Sequence, residues 1–161
     1  MKKVILIFIG LIWFAFIFYN SAQNGNKSNE RSFSVINNIK KEYKSIKGEK
    51  SNNYGELPQN SRQEKINLII RKNAHAFEYC ILSVIITTLF FGFGFKGRGA
   101  IVYILFICLL YAVLDEFHQL YVPGRTSLVS DVLVDFLGSN IGMWLSYFIY
   151  YFILKRNNKK I

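Results

Sequence analysis

Apolar positions in this chain fall into four runs, at about residues 4–19, 74–95, 100–117 and 128–154, parted by polar connections. The first, Val4 to Tyr19, holds no charged residue. At 1.5 Å per residue it reaches about 24 Å, enough to cross a bilayer if its flanks snorkel. The basic head Lys2-Lys3 also fits a signal peptide, but Asn20-Ser21-Ala22-Gln23 is a poor cleavage site and further spans follow, so an uncleaved anchor is expected. The second run grows out of a helical pattern. Ser61-Arg62-Gln63-Glu64 has capping-box spacing, and Arg71, His75, Glu78, Tyr79 and Leu82 then share one helical face. The third run closes into Asp115-Glu116-Phe117-His118-Gln119, and the fourth carries Asp131 and Asp135 in its first turns. Gly138 and Gly142 form a small-xxx-small face, which predicts close approach of a neighbouring helix.

The polar connection, an external loop over about 20–65, is rich in Asn, Lys and Ser. Phe33, Ile36, Ile39, Tyr43 and Ile46 recur at helical spacing with Lys40, Lys41, Lys44 and Lys47 mostly opposite, which predicts a basic amphipathic helix on the membrane surface. Lys50 to Asn60 reads as a linker. The expected fold is therefore an all-α membrane protein: four transmembrane helices in an antiparallel bundle, with the amphipathic helix in the first external loop. One domain covers 1–161.

Composition agrees with this and narrows the partners. The 161 residues are 52% hydrophobic, and that excess lies in the long runs, as membrane spans require. The net charge of +10 sits largely in segments flanking the spans, where it suits anionic headgroups. Membrane lipids are thus the expected partners, and nucleic acid is not: no zinc-finger spacing, Gly-rich phosphate loop or aromatic RNA-binding pattern occurs. No cofactor is expected. Cys80 and Cys108 fall inside apolar runs and read as small buried hydrophobes, not as a disulfide.

Consecutive spans alternate in direction. The end of the first, the start of the second, the end of the third and the start of the fourth therefore share one membrane face. There lie Ser21 and Gln23; Arg71, Lys72, His75 and Glu78; Asp115, Glu116, His118 and Gln119; and Arg125, Asp131 and Asp135. The opposite face holds basic flanks without acids, Lys96 and Arg98 among them, which suits the cytoplasm. Both termini are expected on the cytoplasmic side of the membrane and the polar cluster outside.

Ionisable groups at span edges are costly unless paired or hydrated, so these residues should meet in space. Arg71 or Arg125 is the expected partner for the carboxylates, because a guanidinium binds a carboxylate through two hydrogen bonds. Three readings stay open: a structural ion-pair network; a ligand site of Arg71, Lys72, His75, Glu78, Asp115, Glu116, His118, Gln119, Arg125, Asp131 and Asp135; or a catalytic or metal site. Proton-transfer candidates are His75, Glu78, Glu116, His118 and Asp131. Metal candidates are His75, Glu78, Glu116 and His118.

The order Arg71-Lys72, His75, Glu78-Tyr79, then Asp115-Glu116, His118-Gln119, then Gly124-Arg125, Asp131 and Asp135 resembles the VanZ-like membrane protein family. The exit Tyr19-Asn20-Ser21 with Gln23, and Ser28 and Ser32 after it, adds to the resemblance, which spans essentially the whole chain. Asp115 and Asp135 depart from it, standing where Ser and Asn are frequent. The resemblance implies a small bacterial multi-pass envelope protein and, by analogy, lowered susceptibility to the glycopeptide teicoplanin. The expected action is binding of an envelope ligand, a lipid-linked cell-wall precursor or a glycopeptide, by the polar cluster. The alternative is an intramembrane, metal-dependent enzyme acting on a lipid-linked substrate.

Overall fold

The computed structural model describes residues 2–47 and 61–154. The regular elements among them are all helical: α1 (Lys2–Ser21), α2 (Gly25–Lys47), α3 (Ser61–Gly92), α4 (Arg98–Gln119) and α5 (Val129–Phe148), the last continued by a π-helical turn, Ile149–Leu154. Among the described residues four segments are long and apolar enough to cross a membrane: Lys3–Ser21, Lys65–Gly92, Arg98–Gln119 and Val129–Phe152. The 50–60 linker and the basic tail from Lys155 lie outside the described residues.

The second span differs most from its expected bounds of 74–95. Its helix starts at Ser61, as the capping spacing predicts, and at 1.5 Å per residue its 32 residues extend about 48 Å, more than the hydrocarbon thickness. It stops at Gly92, three residues early. Gly94 adopts φ 93°, Phe95 N–H donates to Phe90 O (2.9 Å) and Gly94 N–H to Phe91 O (3.1 Å). This is a Schellman closure, which needs a residue tolerant of the left-handed region. The loop after it is held to the end of α5: Lys96 donates to the Tyr150 hydroxyl (2.6 Å), and the Tyr151 and Tyr147 hydroxyls donate to the Lys96 and Gly97 carbonyls.

α3 and α5 form the main packed pair, with α4 against both and α1 against α3 and α4. The predicted glycine face is the seam. A Cβ at Gly138 would overlap the Ala76 carbonyl, and one at Gly142 the Cys80 carbonyl and Ser83 Oγ. Backbones this close gain dispersion contacts that no larger residue allows. The buried core is narrow: Ile17 from α1; Tyr79, Leu82 and Ile86 from α3; Ala100, Ile104, Cys108 and Ala112 from α4; Met143 and Tyr147 from α5. Cys80 and Cys108 are free thiols. Outside this core lies an apolar surface that includes Phe8, Ile12, Val102, Phe106, Leu137, Ile141 and Trp144, as lipid contact demands.

The helix α2 begins at Gly25, earlier than the apolar pattern from Phe33 suggests. Its first half lies on α3: Asn29 accepts from Asn67 (3.1 Å) and Arg71 (3.1 Å). Further along, Ile39, Tyr43 and Ile46 are exposed.

Candidate functional site

The site is assembled around a turn. In Val122-Pro123-Gly124-Arg125 the Arg125 N–H donates to Val122 O (3.2 Å) and Gly124 takes φ 73°. Proline second and a positive-φ glycine third are the requirements of a type II turn. The Gly25 N–H donates to Pro123 O (3.2 Å), and a Cβ on Gly25 would overlap the Gly124 carbonyl, so the turn is seated on the start of α2.

That seating sends Arg125 back across the helix ends. Its Nε donates to Gln23 O (3.2 Å), Nη2 to Asn20 O (3.2 Å) and Nη1 to Gln119 Oε1 (3.3 Å). The Asn20 carbonyl is one of the last of α1 and the Gln23 carbonyl lies two residues past its end, where the helix dipole favours a cation. Burial, then the Arg71 charge, push Arg125 below its ordinary pKa, while Asp115, Glu116 and Glu78 oppose that shift. A guanidinium has margin to spare and stays charged.

The carboxylates find other partners than the expected guanidiniums. Asp115 Oδ2 accepts from Ser21 (2.7 Å) and Gln119 (3.2 Å), and all three residues are buried. Glu116 Oε2 accepts the Leu128 N–H (3.0 Å), capping the start of α5. Glu78 Oε1 accepts from Asn20 (2.8 Å). Asp131 pairs with Lys72 at 2.5 Å, and Ser130 bridges the two. Arg71 goes to Asn29. The reason is geometric: Arg125 is aimed by its turn at the end of α1, and Arg71 faces α2, which the spans alone do not place.

Two adjoining cavities open among these groups. One, of about 40 Å³, lies between α3 and α5 beside Lys72, Glu116, Gln119, Asp131 and Asp135. The other, of about 170 Å³, lies toward α1 and α2 beside Asn20, Ser28, Arg31 and Glu78. Arg71, His75 and Arg125 line both. His118 lines neither; its ring packs on Phe18 with centroids 4.2 Å apart.

At the inner limit of this region, His75 from α3, Asp115 from α4 and Asp135 from α5 each offer a ligand atom, all within 4.8 Å of one another. Of the four residues read from sequence as metal candidates, His75 belongs to this group. Glu78 Oε2 lies 3.8 Å from His75 Nδ1, ion-pair range if the imidazole is protonated but too long for a hydrogen bond. Asn20, Asn29 and Ser130 contribute side chains that the charge pattern did not single out. Asn20 had two other signals, its place at the boundary where the first apolar run ends and its part in the Tyr19-Asn20-Ser21 exit.

Four spanning helices with ionisable residues gathered at one end define a multi-pass membrane protein with a polar site at its helix ends. The family model for VanZ/LLP1 matches residues 6–151, and the chain belongs to that family. Comparison with curated proteins and with solved structures finds no match.

Proposed function

We propose that this chain is an envelope protein of the bacterial cytoplasmic membrane whose polar end binds the anionic headgroup of a lipid-linked wall precursor, and so lowers susceptibility to glycopeptides such as teicoplanin. The observation that carries this reading is the placing of Arg71 and Arg125 on one cavity of about 170 Å³, each hydrogen-bonded to neutral groups. Neither charge is cancelled by a bonded carboxylate in those contacts. An arriving phosphate would meet two guanidiniums able to bind it through paired N–H donors.

In this reading both termini are cytoplasmic and the cavities face outward, supported by the acid-free basic flanks on the other side. The exposed Ile39, Tyr43 and Ile46 of α2 lie in the interface of the same outer leaflet. The test is native mass spectrometry with a polyprenyl phosphate and the matching polyprenol. The phosphate should bind preferentially, and Arg71→Gln should abolish the preference. Equal binding of the two lipids would end the proposal. A second reading, an enzyme acting on the lipid-linked substrate, rests on the His75, Asp115 and Asp135 group; turnover of the polyprenyl phosphate by purified protein would favour it.

A further inference from the structure

We infer that His75, Asp115 and Asp135 form a binding site for a divalent transition-metal ion of the zinc or manganese type. Three different helices deliver the three side chains, with ligand atoms mutually within 4.8 Å. Ligands held about 2.0–2.2 Å from a common ion fall within that spread.

The second observation is independent of the clustering. Asp115 and Asp135 are each only 2% exposed, and each has one carboxylate oxygen, Oδ1, with no hydrogen-bond partner; His75 Nδ1 also has none. Buried polar atoms are normally satisfied, and two buried carboxylates with free oxygens carry a large desolvation cost. The neighbouring cations do not meet that need in this arrangement. Lys72 is bonded to Asp131 and Ser130, Arg71 to Asn29, and Arg125 to two carbonyls and Gln119. Asp115 shows the division within one residue: Oδ2 is fastened by Ser21 and Gln119, which orients the carboxylate and leaves Oδ1 free. Fastening one oxygen of a ligand is how outer-shell groups hold a metal site in place.

The donor set selects among ions. Two carboxylates and an imidazole suit zinc or manganese; the imidazole is a poor ligand for magnesium or calcium. Three protein ligands leave coordination positions for water or for an oxygen of a bound phosphate. The site stands apart from the headgroup reading, since its test contains no lipid: metal binding can fail while the phosphate lipid still binds, and the reverse.

The experiment uses tag-free, full-length protein in detergent, stripped with EDTA and then given Zn²⁺ or Mn²⁺ alone. Elemental analysis should return one ion per chain, and the melting temperature should rise with metal concentration, since an ion bound only by the folded state stabilises it. Asp135→Asn and His75→Gln should each weaken binding by at least about tenfold. Glu42→Gln, on the exposed part of α2 away from the cavities, should keep wild-type affinity. If the Asp135 and His75 variants fail to fold, the wild-type stoichiometry and melting shift decide by themselves. Absence of both effects with either ion overturns the inference, as does a response to Mg²⁺ or Ca²⁺ alone. Undiminished affinity in folded Asp135→Asn overturns it as well.

Discussion

The Ser21 hydroxyl donates to Asp115 Oδ2 over 2.7 Å, tying the last residue of α1 to the closing turns of α4, 94 positions along the chain. Both residues are fully or nearly fully buried, so water cannot replace the bond. Ser21→Ala should cost about 1.5–3 kcal/mol, the range for a hydrogen bond to a charged group, toward its lower end because one partner, Gln119, remains. Thermal melting in detergent should show the loss, while Ser34→Ala on the exposed part of α2 should not.

The α3–α5 seam gives a sharper contrast. Gly138→Ala and Gly142→Leu place carbon on backbone carbonyls of α3 and should each lower stability by about 2 kcal/mol or more. Gly99→Ala, in α4 with open space around it, should be neutral or stabilising by up to about 1 kcal/mol, because alanine is the better helix former. Equal melting temperatures for Gly142→Leu and wild type would show that the seam is not tightly closed.

Arg125→Lys keeps the charge but cannot span Asn20, Gln23 and Gln119 together. It should destabilise more than Lys72→Ala. The Lys72–Asp131 pair is about a quarter exposed on each side, and such pairs contribute no more than about 1 kcal/mol. Chemical unfolding midpoints for the two variants give the order; the reverse order would make Arg125 a passive surface charge.

Glu116→Gln retains an oxygen for the Leu128 N–H and should keep fold and membrane abundance, as should His75→Gln; Glu116→Leu loses the acceptor at the start of α5 and should reduce abundance. If both Gln variants keep abundance and lose protection against teicoplanin, the polar end is a working site. Disappearance of both variants from the membrane would assign these two groups to structure alone.

Reporter fusions after Gly97 and after Ile161 should read cytoplasmic, and fusions within 52–59 external, because basic residues without acids flank the first two points. The opposite pattern would turn the polar end toward the cytoplasm.

The hydrophobic runs alone determined that this chain is helical and crosses a membrane, since a segment of that length and apolarity has few other ways to satisfy its backbone in lipid. The GxxxG spacing marked α5 as the closely approached helix, and the alternation of spans placed Arg71, His75, Glu116, Arg125 and Asp131 at one end. These signals are local, with a fixed period, and need no partner to be read. Which side chain meets which was decided only by the tertiary structure. Arg125 is paired with carbonyls at the end of α1 and just past it, not with a carboxylate, because a positive-φ Gly124 seated on Gly25 aims it there. Asp135 joins Asp115 and His75, while Glu116 turns to the Leu128 N–H and His118 to Phe18. Spacing along one helix gives the face of a residue but not the rotation of that helix against its neighbours. That rotation is set by the closeness of α3 and α5 at Gly138 and Gly142, a property of two backbones in contact.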